Sequence, residues 1–248
     1  MSELFLELFS EEIPASLQKN IRLKLLEDFQ KMFIQNLIKF KKNFSYSTPN
    51  RLIIVFQDLE TEIKVKPEEI KGPNINASKQ ALEGFLKSNE IKNKDIYKKK
   101  LEKGEFYFFK TKEKKIKTLD LLKKHIPIIL GSYKWQKSMK WGNFDLQWAR
   151  PLKSILCVLN KGTIDFSFHH IKSSNSTFID KDFEDVKKKI QDFKSYQSFF
   201  KKEGLIINQN DRKKFIEKEF DKILKKKNLN IVLSQKLLEE VTDITDSP

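Results

Sequence analysis

Two adjacent carboxylates, Glu11 and Glu12, precede the first long apolar segment of the chain. Paired carboxylates can act in acid–base catalysis or bind magnesium. Negative side chains are also stabilised near the N-terminus of a helix by the helix dipole. Because adjacent side chains seldom converge on one proton, the pattern favours the structural role, and we assign no catalytic residue here.

All three tryptophans fall between residues 135 and 148, among basic side chains. Those basic residues are Lys134, Lys137, Lys140 and Arg150. Aromatic planes beside cations can stack bases and hold phosphates, but tryptophan is also a large core side chain. We predict that Trp141 and Trp148 pack in a core and that the lysines are exposed. Arg150 has a planar guanidinium that could hold a phosphate or a neighbouring carboxylate.

Few other residues suggest metal, nucleotide or covalent chemistry. His169 and His170 are adjacent at the predicted end of a strand, where neighbours point to opposite faces, so we predict no shared metal site. Cys157 is the only cysteine, which excludes an internal disulfide and a thiolate cluster. The sequence contains no Walker loop, dinucleotide fingerprint or nucleophile elbow. We therefore expect no metal, cofactor or catalytic residue in this chain.

The 248 residues include 49 basic and 34 acidic side chains, which give a formal net charge of +15. Such a charge attracts polyanions, RNA first among them. Lysine vastly outnumbers arginine, as codon bias in an AT-rich genome would also produce. The excess charge therefore marks either an RNA-binding surface or compositional drift. The sequence has no apolar run long enough for a membrane span and no signal peptide, and we expect a cytoplasmic protein.

Apolar periodicity predicts the elements that must position these residues. The pattern indicates an α+β fold that starts with a strand–long helix–strand unit, continues as a mixed sheet and ends in a charged helical part. The predicted strands are Leu4–Phe9, Leu52–Phe56, Glu105–Thr111, Leu152–Leu159 and Ile164–Phe168. The first helix starts at Pro14 and its apolar face runs to Phe40. A helix over Leu119–Leu130 is interrupted by Pro127, and Gly72-Pro73 indicates a loop.

The sequence becomes highly charged from Lys181 onward, and its pattern there is mostly helical. Helices are predicted over Phe183–Phe193, Ser195–Lys202, Asp211–Lys227 and Ser234–Val241. Asp211 is the candidate N-cap of the third of these helices. We place a domain boundary near residues 173–177, which divides the chain into an α+β region (1–175) and a helical region (176–248).

Six short motifs follow one another in a fixed order. They are Glu7-Leu8-Phe9-Ser10-Glu11-Glu12-Ile13-Pro14, Thr48-Pro49-Asn50-Arg51-Leu52, Gly72-Pro73, Ser138-Met139-Lys140-Trp141-Gly142, Ala149-Arg150-Pro151 and Leu237-Leu238-Glu239-Glu240-Val241. Their order and spacing resemble the N-terminal part of the beta subunit of bacterial heterotetrameric glycyl-tRNA synthetase. That family usually reads Glu-Ile-Gly-Thr-Glu-Glu-Leu-Pro, then Pro-Arg-Arg-Leu, then Met-Arg-Trp-Gly followed by Arg-Pro.

The resemblance implies a supporting role in an aminoacyl-tRNA synthetase. In that family an alpha subunit of class II type uses ATP and magnesium to activate glycine and charge tRNA-Gly, and the beta subunit supplies most of the tRNA binding. By resemblance, this chain works with an alpha subunit on tRNA-Gly and is inactive alone. The candidates for RNA contact are Arg51, Lys137, Lys140 and Arg150. The alternative is a noncatalytic RNA-binding or assembly module derived from that subunit.

The sequence departs from the family pattern in three places. Asn50 replaces the first arginine of Pro-Arg-Arg-Leu. The family continues after Ser-Gly-Asn-x-Thr with Gly-His-Arg-Phe, whereas Thr177 is followed here by Phe178-Ile179-Asp180. Any contact that Gly-His-Arg-Phe makes with RNA or a partner is then lost or replaced. Family members also continue for several hundred residues beyond the position of Pro248, and we expect their anticodon-binding region to lie outside this sequence.

Overall fold

A computed structural model describes residues 2–179, 186–228, 230, 232 and 234–248. Its strands are β1 (Glu3–Ser10), β2 (Lys42–Thr48), β3 (Arg51–Gln57), β4 (Glu62–Val65), β5 (Glu69–Asn74), β6 (Ile96–Leu101), β7 (Gly104–Lys110), β8 (Lys114–Lys117), β9 (Leu152–Leu159), β10 (Gly162–Thr163), β11 (Ser167–Phe168), β12 (Ile171–Ser174), β13 (Ser176–Ile179) and β14 (Val186–Lys189). Its α-helices are α1 (Ala15–Gln35), α2 (Lys79–Ser88), α3 (Thr118–Gly131), α4 (Phe193–Lys202), α5 (Gln209–Lys227) and α6 (Gln235–Asp243).

The chain forms two compact units, one made of residues 1–61 and 118–248 and the other of residues 62–117. The larger unit is built on a mixed sheet with the strand order β11-β12-β9-β1-β3-β2, to which β10 adds beside β9. Its pairs are antiparallel except for β12 with β9. The fold is therefore α+β, as the sequence predicts.

The central strands β1 and β3 are buried on both faces, which explains their nearly continuous apolar sequences. On one face Phe56 packs against Phe29 and Phe33 of α1, with ring centroids 6.3 and 4.8 Å apart. On the other face Phe5 packs against Tyr196 of α4, with centroids 4.8 Å apart. Glu7 lies on this second face because it is two residues from Phe5 on β1, and side chains alternate between the faces of a strand. Arg51 lies on the same face because it is four residues from Val55 on β3.

The smaller unit contains a three-stranded antiparallel sheet with the order β5-β7-β6, a two-stranded ribbon of β4 and β8, and the helix α2. The predicted loop at Gly72-Pro73 is wrong, because both residues lie within β5. The register of β5 shifts between Lys71 and Asn74 at this point. Proline is accepted there because β5 is an edge strand, where the missing N–H breaks no ladder. The proposed boundary between residues 175 and 176 falls inside the larger unit and stays a prediction.

Several helix limits differ from the sequence prediction. The first helix ends at Gln35 because Leu37 adopts a left-handed backbone conformation with φ 58°, and Phe40 then folds back onto Phe56 with ring centroids 5.0 Å apart. Helix α3 continues through Pro127 instead of being interrupted by it. None of the helices in the described part of the chain combines the length and apolar character that a bilayer crossing requires.

The C-terminal region also needs two corrections. Residues 186–189, predicted as helix, form β14 and pair with β13, while residues 183–185 lie outside the described part of the chain. The N-cap of α5 is Asn208, whose side chain accepts a hydrogen bond from the Asn210 amide, and not Asp211. Ser234 caps α6 through the Leu237 amide, so the predicted helix after Ser234 is confirmed.

Candidate functional site

Residues of separate sequence motifs meet in a buried polar cluster on the α4 side of the main sheet. Glu7 is fully buried, and its carboxylate accepts hydrogen bonds from the Thr177 hydroxyl at 2.7 and 3.0 Å and from the Tyr196 hydroxyl. The Nε atom of Arg51 lies 3.5 Å from the same carboxylate. The Glu7 carboxylate of β1 thereby contacts side chains from β3, β13 and α4.

The guanidinium of Arg51 is enclosed by aromatic rings and by the C-terminal segment. Its Cζ atom lies 4.5 Å from the ring centroid of Phe9 and 4.7 Å from that of Phe200. One terminal nitrogen donates to the main-chain carbonyl of Phe178, and the other lies 3.8 Å from the Asp246 carboxylate. Such planar stacking and forked donation suit arginine and not lysine.

Burial raises the pKa of the Glu7 carboxyl above its ordinary value, and Arg51, Tyr196 and Thr177 oppose that shift. The rise follows from the cost of keeping a carboxylate away from water. The Tyr196 hydroxyl also has a strongly raised pKa, chiefly because it is buried and then because it faces Glu7. Tyr196 is therefore a hydrogen-bond donor to Glu7 at neutral pH.

A second buried arginine, Arg212, joins three segments of the same unit. It donates to the carbonyls of Ile206 at 2.8 Å and Ile207 at 3.0 Å, to Ser47 at the sheet edge at 2.8 Å, and to Thr242 at the end of α6 at 3.1 Å. Burial lowers the pKa of Arg212 to about 10, so the side chain stays charged at neutral pH. Arg212 thus fastens α5 and α6 to the edge strand β2.

The chain has only four arginines, and each makes a contact with a main-chain carbonyl. Arg22 donates to Ser45 at 3.1 Å, and Arg150 donates through Nε to Glu12 at 3.2 Å. No motif or spacing in the sequence marks Arg212, Tyr196 or Asp246 as a functional residue. Arginine is rare in this lysine-rich chain, and that rarity could have indicated a special role for Arg212. No sequence feature indicates a role for Tyr196 or Asp246.

The buried cluster lacks the features of a catalytic centre. Glu7, Thr177 and Tyr196 are 0% exposed, so a substrate cannot reach them in this fold. Within the described residues, no group of three or more histidine, cysteine or acidic side chains is arranged to hold a metal ion. The arrangement satisfies buried charges and joins distant segments.

The segment from residue 132 to 150 carries both buried and exposed side chains. Phe144 stacks on His170 with ring centroids 3.5 Å apart and planes 7° apart, and Trp141 approaches the same histidine edge-on at 6.0 Å. Phe144 is 45% exposed. Lys137 and Lys140 are exposed as predicted, and the Lys140 ammonium lies 3.6 Å from the Asp145 carboxylate.

Comparison with known proteins identifies the family. A family model described as glycyl-tRNA synthetase beta subunit matches residues 4–248. The chain is 35% identical over 248 residues to the glycine–tRNA ligase beta subunits of Rickettsia prowazekii and Rickettsia typhi, and 33% identical over 250 residues to that of Rickettsia canadensis.

The chain belongs to the glycyl-tRNA synthetase beta subunit family. The matches cover 100% of this chain and 37% of the length of those curated relatives. The resemblance drawn from the motifs is thereby confirmed.

The beta subunit motifs have distinct places in the fold. Glu7 of the first motif meets Arg51 of the second, and the Arg150-Pro151 motif adjoins the first through the contact of Arg150 with Glu12 and a 2.9 Å hydrogen bond from the Glu11 amide to the Pro151 carbonyl. Arg51 is only 3% exposed and holds Glu7 and Asp246. We therefore remove Arg51 from the candidate RNA-contacting residues, because its guanidinium cannot reach a phosphate in this fold.

The aromatic residues of the beta subunit segment divide between core and surface. Trp148 is 1% exposed and packs against Trp135 at 4.8 Å, so its prediction as a core residue is confirmed. Trp141 is only partly buried, so its prediction as a core residue is wrong. His169 and His170 form the turn between β11 and β12, and His169 has φ 52°. The expected strand geometry for this pair is therefore also wrong.

Proposed function

We propose that this chain is the N-terminal portion of a glycyl-tRNA synthetase beta subunit that supports ATP-dependent attachment of glycine to tRNA-Gly. An alpha subunit would supply the active site and use ATP and magnesium, and the complex would act in the cytoplasm. The observation that carries this proposal is the family match over residues 4–248. The ion pair between Glu7 and Arg51 supports the proposal, because it joins residues of two family motifs in one buried cluster.

We propose that tRNA binds along the exposed side chains of the segment from residue 132 to 150. Lys137 and Lys140 would hold phosphates, and the partly exposed rings of Trp141 and Phe144 would offer stacking surfaces. Arg150 would contribute next to Glu12, where its Nε is already bound to the carbonyl.

The first experiment tests the role in glycylation. The chain, the cognate alpha subunit and their mixture are assayed for glycine-dependent ATP–pyrophosphate exchange and for tRNA-Gly glycylation, together with size-exclusion chromatography of the mixture. We expect no exchange by the chain alone, co-elution with the alpha subunit, and faster glycylation by the mixture. Co-elution or RNA binding without faster glycylation would instead support the noncatalytic module, and exchange by the purified chain alone would contradict both.

The second experiment tests the RNA surface. Removing one phosphate contact should lower the slope of log affinity against log salt by about one, so K137A/K140A should lower it by about two for tRNA-Gly. The charge-matched control K201A/K202A changes two exposed lysines at the end of α4 and should leave the slope near its original value. Equal effects of both double variants would reduce the proposed surface to general electrostatic attraction.

A further inference from the structure

Lysine is concentrated in the smaller unit, where aromatic residues accompany it. Residues 62–117 contain 16 lysines, no arginine and 9 acidic residues, a net charge of +7. The chain as a whole carries +15, so nearly half of its excess charge lies in this unit. Charge alone predicts only unspecific attraction to polyanions. A binding site would require these lysines to lie beside other groups that contact the ligand.

The three-stranded sheet of this unit has two unlike faces. Helix α2 packs on one of them, which we call the helix face: Phe85 contacts Phe109 with ring centroids 5.7 Å apart. A Cβ atom added to Gly72 on this face would come within 2.6 Å of the Phe85 ring, so the helix lies directly on the strand. The opposite side, the open face, carries Glu69, Lys71, Tyr97, Lys99, Phe106, Phe108 and Lys110.

The open face interleaves rings with ammonium groups. The Lys71 ammonium lies 3.6 Å from the Phe106 ring centroid, and the Lys99 ammonium lies 5.4 Å from that of Phe108. Tyr97 stacks beside Phe108 at 6.3 Å with planes 27° apart. Tyr97 is 39% exposed, whereas Phe108, its cross-strand partner on β7, is 6% exposed. The face therefore carries aromatic rings with lysine ammonium groups over them, and Tyr97 is its most exposed ring.

We propose that the open face binds single-stranded RNA, with a base stacked on Tyr97 and phosphates held by Lys71, Lys99 and Lys110. Unpaired bases are the ones whose planes can reach aromatic side chains, and sheets that carry such rings accommodate two or three bases. The net charge of +7 complements the phosphate chain. Only the identity of the natural RNA ligand rests on the proposed function. The binding of single-stranded RNA to this face does not depend on glycylation.

The charge of Glu69 predicts in which direction a substitution should change the RNA affinity. Its carboxylate accepts hydrogen bonds from the Tyr97 hydroxyl at 2.7 Å and from the Lys99 ammonium at 2.5 Å. Without RNA, Glu69 thus holds the lysine that would bind a phosphate, and it would also repel that phosphate. Replacing Glu69 by glutamine keeps the shape of the side chain and removes its charge. E69Q should therefore bind RNA more tightly than the original chain.

The test measures fluorescence anisotropy of labelled oligouridylate and oligoadenylate, each 12 nucleotides long, and of a 12-base-pair RNA duplex. The full chain is used at several salt concentrations and without an alpha subunit or tRNA. We expect Y97L to weaken single-strand binding about tenfold and Y97F to restore it, since one stacked base contributes on the order of 1–3 kcal/mol. K71A/K99A should lower the salt slope by about 1.4, at roughly 0.7 per phosphate of a single strand.

The matched control is K98A/K100A, because Lys98 and Lys100 alternate with Lys99 along β6 and belong to the helix face. It removes the same charge from the same strand and should leave the salt slope nearly unchanged. Equal losses in the two lysine pairs, an unchanged affinity in Y97L, or duplex binding as tight as single-strand binding would each overturn the proposal. A failed glycylation assay would leave these results intact, so the two proposals fail separately. Thermal melts of every variant check that the fold is kept.

Discussion

The cations of the two units occupy opposite environments. In the larger unit, Arg51 and Arg212 are 3% and 0% exposed, and they bind main-chain carbonyls and carboxylates. In the smaller unit, Lys71 and Lys99 are exposed, and their ammonium groups lie over aromatic rings. Arginine is present where several N–H groups bind fixed partners at once, and lysine is present where a single ammonium group lies at the solvent-exposed surface. The cations that make up the +15 charge therefore differ in role: the buried arginines join segments of the fold, and the lysines lie at the surface.

The strongest way to break this comparison is to exchange arginine for lysine inside the larger unit. R212K should lower the free energy of unfolding by about 3–5 kcal/mol, because one ammonium cannot satisfy carbonyls from three segments and the charge stays buried. Urea denaturation followed by circular dichroism measures the change. A loss below about 1 kcal/mol would mean that the forked geometry of Arg212 contributes little.

A double-mutant cycle sharpens the account of the Glu7–Arg51 pair. E7Q and R51M should each destabilise the fold, and the double variant should lose less than the sum, with a coupling energy of about 1–3 kcal/mol. Y196F is the milder comparison, because it removes one hydrogen bond to Glu7 and keeps the ring. Additive losses in the cycle would show that the two charges do not stabilise each other.

The buried thiol of Cys157 predicts a pH dependence with a definite sign. Burial raises the pKa of Cys157 in the folded chain, so the unfolded chain releases this proton first as pH rises. Stability is fully present below the thiol pKa of the unfolded chain, about 8.5, and falls above it by up to about 1.4 kcal/mol per pH unit. C157A should show a shallower decline between pH 8 and 10 in urea titrations. Parallel declines in both proteins would contradict this assignment.

The smallest effects should come from exchanging cations on the smaller unit. K71R and K98R should each change the free energy of unfolding by no more than about 0.5 kcal/mol, because both side chains are exposed. The same urea assay used for R212K makes the comparison direct. A loss in K71R as large as that in R212K would remove the distinction between buried arginines and exposed lysines.

Local patterns predicted the elements whose residues are close in sequence. The opening strand, the long helix and the Leu52–Phe56 strand are confirmed, because apolar period and β-branched content report directly on helix and strand. The interruption at Pro127 is wrong, because packing of the buried Leu122, Ile126 and Leu130 keeps α3 helical. The charged pattern of residues 186–189 predicts a helix, but pairing with β13 makes them a strand.

Residue pattern alone was enough to predict the fold class, and the order of the motifs was enough to indicate the family. The burial of Arg51 and the partial exposure of Trp141 are visible only in the folded chain. The same is true of the contacts of Thr177 and Tyr196 with Glu7, which join residues 170 and 189 positions apart. The physical reason is range. Periodicity and turn chemistry act over a few residues, whereas the exposure of a cation depends on which distant segments fold over it.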